Sequence, residues 1–191
     1  MPQLIIPNAT EQQKALFARF NIPVIEAMEV GEFEQAVAAY LSSHNVLSLA
    51  TCRDNSPRCT TLEYFNNGLT VYLFSEGGGK IANILGNPRV SFTVHGPYDS
   101  GKDYFGASGV QVWGTATLFK RRDNPEKATD IQAFYRHTES LKQQGLYEAV
   151  SGINFNVITI EPEKIVYLDL RRGFRSFIWK KKLRAWLNNS N

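Results

Sequence analysis

The stretch Arg58-Cys59-Thr60-Thr61-Leu62-Glu63-Tyr64-Phe65-Asn66-Asn67-Gly68-Leu69-Thr70-Val71-Tyr72-Leu73-Phe74-Ser75-Glu76-Gly77-Gly78-Gly79-Lys80 decides the fold class of this chain. Arg58, Thr60, Leu62 and Tyr64 alternate with Cys59, Thr61, Glu63 and Phe65, the two-residue period of a strand. Asn66-Asn67-Gly68 signals a hairpin turn, because Asn and Gly accept positive φ. A second strand, Leu69 to Ser75, runs into three glycines and Lys80. A short helical pattern follows to about Leu85, with Gly86 as its cap and Asn87-Pro88 as its stop.

Strand, glycine loop and helix together make an anion-binding arrangement. Glycine lets backbone approach a ligand closely. A helix N-terminus offers unpaired N–H groups and the positive end of its dipole. Lys80 adds a full charge there, so a phosphate is the expected occupant. The loop is not a P-loop: Ser75 stands where that motif has its first glycine, and Ile81 where it has a hydroxyl. No G-x-G-x-x-G opens the helix either.

Outward from this stretch the pattern stays mainly β. Upstream, Thr10 caps a helix over 10–20, a second helix spans Phe33 to Leu41, and Val46 to Cys52 is a strand ending in the turn Asp54-Asn55-Ser56-Pro57. Downstream, Val90–Val94 and Ala107–Phe119 are strands around a Gly/Pro/Asp-rich loop. Asn124-Pro125 opens one helix to about Gln143. Asn154–Ile160 and Ile165–Leu170 are strands separated by a turn at Glu161–Lys164. Repeated short strands joined by turns predict a β-barrel or sandwich with flanking helices.

The chain has 191 residues, enough for one full core, with 43% apolar and 20% charged residues. No apolar run is long enough for a membrane span, and no signal-peptide pattern is present, so a cytoplasmic protein is expected. Cys52 and Cys59 are expected as reduced, buried thiols. His44, His95 and His137 show no metal-ligand spacing with them, so no metal site is expected. The net charge of +3 is uneven: residues 1–169 hold all 18 acids and 14 Lys/Arg, for −4, while residues 170–191 hold seven basic groups. That tail reads as a solvated terminal helix. No nucleic-acid motif accompanies it, and no nucleic-acid or membrane partner is expected.

Three pieces line up in order: Arg58-Cys59-Thr60-Thr61-Leu62 on one strand, Ser75 to Lys80 in the loop, and Gln111-Val112-Trp113-Gly114 on a later strand. Together, over roughly residues 33–170, they resemble the pyridoxamine 5′-phosphate oxidase-like family of FMN-binding split β-barrels. The resemblance implies a split-barrel domain, set at 31–173; a helical extension at 1–30 and a basic tail at 174–191 lie outside it. It implies a homodimer holding FMN at the subunit interface. Arg58, Cys59, Thr60, Thr61 and Leu62 would run beside the flavin ring, with Arg58 reaching the phosphate. Phe74, Ser75, Gly79 and Lys80 would hold ribityl and phosphate groups, and Gln111 would reach the flavin from the neighbouring subunit. Trp113 is a cofactor-binding candidate, although core or dimer packing is the favoured reading for it over flavin stacking.

Physical chemistry agrees with the ligand. A phosphate near two negative charges suits an Arg fork plus a Lys point charge. Two departures separate this chain from the oxidase itself. Gly79 replaces one member of the family's basic pair, and Leu168-Asp169-Leu170-Arg171-Arg172-Gly173-Phe174 lacks the Arg-x-His element. The expected function is a flavin-dependent oxidoreductase whose cofactor performs the electron chemistry. Its small-molecule substrate or redox partner is unassigned. The alternatives are a non-enzymatic flavin-binding or electron-transfer module, or a split barrel for deazaflavin or haem. No catalytic residue is named. Tyr64, Tyr104 and His95 read as structural.

Overall fold

The computed structural model describes residues 1–181. In chain order the elements are β1 (Gln3–Ile5), α1 (Glu11–Arg19), α2 (Val30–Ser42), β2 (Val46–Arg53), β3 (Ser56–Glu63), β4 (Phe65–Asn67), β5 (Thr70–Ser75) and α3 (Gly79–Gly86). They continue with β6 (Arg89–His95), β7 (Ser108–Lys120), α4 (Pro125–Gln132), α5 (Thr138–Gln143), α6 (Tyr147–Ser151), β8 (Asn156–Asp169) and β9 (Phe174–Lys180).

Local chemistry explains the punctuation. Thr10 and Gln13 form a reciprocal capping box at the start of α1, with bonds of 3.2 and 2.9 Å. Asp54 and Asn55 both have positive φ, 52° and 57°, so β2 and β3 are joined by a two-residue hairpin. The expected four-residue turn is therefore shorter, and β3 begins at Ser56. The strand expected from Arg58 to Phe65 is interrupted at Tyr64, whose hydroxyl donates to the Leu41 carbonyl at 2.7 Å. Beyond it the chain leaves the ladder with β2 and pairs as β4 with β5.

The sheet is antiparallel, ordered β1-β9-β8-β7-β6-β2-β3, with β5 also on β8 and β4 on β5. Strand β8 organises it. Over its whole length it pairs with β7, while its first half pairs with β5 and its last part with β9. The path ends at β3 on one side and at β1 on the other, with the β5 branch from β8 ending at β4, so the sheet curls into a split barrel without closing. Helix α2 fills the middle: Phe33, Val37, Tyr40 and Leu41 are buried at helical spacing against Leu47, Leu49, Tyr167 and Phe177.

Four further expectations change. The turn at Glu161–Lys164 is a register shift inside the continuous strand β8, opposite Gly114. Pro162, which has no N–H to offer the ladder, sits at that irregularity. The long helix expected to Gln143 is broken after Gln132, and α6 is additional. Residues 174–180, expected to begin a solvated helix, form β9; Phe174, Phe177 and Trp179 are at most 4% exposed. The remainder of the basic tail, 182–191, lies outside the described residues. Finally, Cys52 is half-buried and Cys59 exposed, both free. Cys59 points away from the core because its neighbours Arg58 and Thr60 take the opposite strand face.

Candidate functional site

Helix α3 starts where Gly78 turns at φ 96°, a conformation that favours glycine. No side chain caps its N-terminus. The loop before it is held by Asn156 of β8, whose amide donates to the carbonyls of Ser75 (3.0 Å) and Glu76 (3.2 Å). From the other side Asn83 donates to the buried Thr51 hydroxyl at 3.1 Å, docking α3 on β2. Thr51 is the direct ladder partner of Arg58. The helix N-terminus and the arginine are thereby placed side by side.

The contact is tight. A Cβ at Gly79 would lie 3.0 Å from Nη1 of Arg58 and 3.4 Å from its Cζ. Glycine at 79 therefore leaves room for the guanidinium across the start of α3. Arg58 Nε also donates to the Thr60 hydroxyl at 3.4 Å. Lys80 donates to the Gly77 carbonyl at 2.9 Å. Partial burial, and then the Arg58 charge, hold the Lys80 ammonium below its usual range. Two cations beside an uncapped helix N-terminus make an electropositive cradle, the charge and donor pattern that suits an oxyanion.

The other expected residues divide by strand face. Register places Thr60 opposite Leu49 and Leu62 opposite Leu47, so both share Arg58's side, and Leu62 packs on the main core. Cys59 and Thr61 lie on the outer face. There Cys59 aligns with Ala50, Ser91 and Trp113, and Thr61 with Ser48, Thr93 and Gln111. Small side chains in the middle leave an open trough of about 340 Å³ between the Cys59 edge and the exposed Gln111 and Trp113. Within one chain, Gln111 and Trp113 are not brought to the Arg58–Lys80 cradle. Lys164 stacks over Trp113 at 4.4 Å.

Ser75 is buried and donates to Gly77 O at 3.3 Å, so its hydroxyl shapes the loop. Phe74 faces away from the main core into a second apolar cluster with Phe65 and Val157. Of the eleven residues expected at the site, Arg58, Thr60, Gly79 and Lys80 gather at the helix start. Sequence reasoning missed Asn156 and Asn83, which position the loop and helix. A lone Asn at a strand start and another mid-helix carry no motif that could have marked them.

Among the described residues no group of three His, Cys, Asp or Glu could hold a metal, and no helix is long and apolar enough to cross a membrane.

Comparison with known proteins fits this geometry. The family described as pyridoxamine 5′-phosphate oxidase matches residues 33–169, and this chain belongs to that family. General stress protein 26 of Bacillus subtilis (strain 168) is 28% identical over 139 residues, covering 72% of this chain and 89% of that protein. A FAD-binding protein from Mesorhizobium loti superposes with TM-score 0.52 at 22% identity, over 81% of this chain and 96% of the other. A heme-binding protein from Mycobacterium smegmatis superposes with TM-score 0.56 at 18% identity, over 82% of this chain and 60% of the other. At such identities the two structures share the fold with this chain. One fold thus carries proteins described by different cofactors.

Proposed function

We propose that this chain binds FMN in a cytoplasmic homodimer and serves as a flavin-dependent oxidoreductase. The observation that carries the reading is the Arg58 guanidinium packed across Gly79 beside Lys80, at the N-terminus of α3. FMN's terminal phosphate matches this cradle in charge, and the exposed N–H groups of the helix add donors. Arg58 and Lys80 neutralise the phosphate, Thr60 orients the guanidinium, and Ser75 and Asn156 keep the loop open. The flavin, when bound, supplies hydride and electron transfer. Its ring would lie beside β3, whose backbone groups would meet its polar edge. Gln111 of a second copy supplies an amide to the same ring, and Trp113 packs at that boundary.

FMN titration tests the reading. Arg58→Ala with Lys80→Ala removes two charge-assisted contacts, each on the order of 1.5–3 kcal/mol. Wild-type affinity in the double variant would overturn the phosphate assignment. The absorbance of the purified protein separates flavin from haem, and steady NADH or NADPH oxidation separates an enzyme from a binding module.

A further inference from the structure

Outside the phosphate cradle, one cavity has the character of a small-molecule site. It has a volume of about 210 Å³ and lies where α4, α5 and α6 cover the ends of β3 and β5. Its walls include Phe74, Phe155, Leu141 and Val150, with Tyr135 and Ala128 between them. Phe74 and Phe155 stack at 5.9 Å, with 15° between their planes. The polar groups in the lining are few: Glu63, Arg121, Gln132 and the Tyr135 hydroxyl. Apolar walls with a few convergent polar groups are the usual composition of a ligand pocket.

The polar groups specify chemistry. Arg121 donates through Nη2 to Gln132 Oε1 at 3.1 Å, which fixes the guanidinium. Among the described residues no carboxylate lies within 4.0 Å of it, so Arg121 lines the cavity without a direct ion-pair partner. Glu63 accepts from the Tyr135 hydroxyl, 3.3 Å to either oxygen. Burial, then the Glu63 charge, push that phenol up to about 12, so it remains a donor at neutral pH. Glu63 keeps acceptor capacity for one further donor. Size limits the occupant. A cavity of about 150 Å³ accepts benzene, so 210 Å³ suits one substituted ring and excludes a multi-ring ligand such as the flavin.

We propose that this cavity binds a single-ring aromatic carboxylate carrying a ring hydroxyl or amine. The carboxylate pairs with Arg121, the ring lies among Phe74, Tyr135 and Phe155, and the ring donor meets Glu63. A dianionic phosphate is disfavoured because Glu63 contributes a negative charge to the same lining. Glu63 ends β3 on the Cys59–Thr61 face, and Phe74 directly precedes Ser75 of the phosphate loop. The cavity therefore adjoins the elements assigned to FMN. The proposal rests on the flavin reading only in making the bound ring that cofactor's reaction partner.

The test is calorimetric titration of flavin-free protein with 4-hydroxybenzoate, benzoate and phenol. Saturable one-to-one binding of both acids is expected, with phenol at least tenfold weaker, since it offers no charge to Arg121. Arg121→Gln keeps a hydrogen-bonding group and should erase the preference for acids over phenol. Leu141→Trp fills the space and should abolish binding of all three while circular dichroism stays native. Absence of saturable acid binding overturns the proposal. So does an unchanged acid preference in Arg121→Gln, or undiminished binding in folded Leu141→Trp. FMN titration of the same preparations separates the two readings: flavin binding without acid binding overturns the cavity alone, and the converse overturns the flavin alone.

Discussion

At the scale of single residues, Gly79 and Lys80 make opposed predictions about stability and binding. Gly79 is the first residue of α3, where Ala is favoured over Gly by up to about 1 kcal/mol. Gly79→Ala should therefore leave thermal stability unchanged or slightly raised. Its Cβ would press the Arg58 guanidinium aside by a few tenths of an ångström, so FMN affinity should fall, by up to about tenfold where a charged hydrogen bond is lost. Paired melting and FMN titration check both halves, and equal affinity would show that the Arg58–Gly79 packing does not set the phosphate contact. Lys80 predicts a pH dependence. Its folded pKa lies below 10.5, so the unfolded chain binds the proton more tightly. The charged lysine thus penalises the empty fold below its folded pKa, and the penalty is relieved as pH rises through the interval up to 10.5. A bound phosphate acts oppositely and favours the ammonium. FMN affinity should fall with rising pH, beginning below the range of an ordinary lysine. Lys80→Arg should flatten that profile, because arginine stays charged.

At the scale of elements, β7, β8 and β9 carry the prediction. Gly114 lies at the β7–β8 register shift, where a Cβ would run into the Glu161 carbonyl oxygen. A backbone atom cannot swing aside as a side chain can. Gly114→Ala should destabilise by about 1–3 kcal/mol, as overpacked interiors do, measured as a lower urea midpoint at constant slope. In β9, Phe177 is fully buried and stacks on Phe33 of α2 at 6.4 Å. Phe177→Ala should cost about 3–5 kcal/mol. A loss near zero would mean that β9 is not part of the cooperative fold. The strand was hidden in the sequence because Arg175 and Ser176 interrupt its apolar alternation. Ser176 has φ 57° at the β8–β9 register shift, so two consecutive residues, Phe174 and Arg175, are both buried. A period-two search does not expect that.

At the scale of the whole molecule, the trough between Cys59 and Trp113 and the Arg58–Lys80 cradle lie on different faces of the sheet. A site that uses both Lys80 and Gln111 needs a second copy. The shared-site arrangement predicts complementation. Arg58→Ala/Lys80→Ala chains and Gln111→Ala chains should each bind FMN weakly. Mixed dimers should recover one tight site per dimer, because one of their two sites contains only wild-type groups. Titration of the separated mixed dimer checks this. Failure to recover a tight site, or a monomer in solution, would remove Gln111 from the cofactor site.

The sequence by itself determined the hairpins, helices α1 and α2, the glycine loop and the pairing of Arg58 with Lys80 as a candidate site. Each of these is written in short-range chemistry: alternation, Asn-Gly and Asp-Asn turns, a capping Thr, glycines before a lysine. Membership of the pyridoxamine 5′-phosphate oxidase family followed from the order of such pieces. Tertiary structure alone decided that β8 runs unbroken through Pro162, because only Gly114 on the facing strand makes the irregularity tolerable. It decided that 174–180 belongs to the sheet, since burial against α2 outweighs a basic composition. It also decided which face each of residues 58–63 presents, setting Arg58 beside Lys80 and leaving Cys59 and Thr61 for the trough. Period two puts alternate residues on opposite faces but cannot say which face meets α3, because the helix is docked by the long-range bond from Asn83 to Thr51, and the loop before it by the bonds from Asn156.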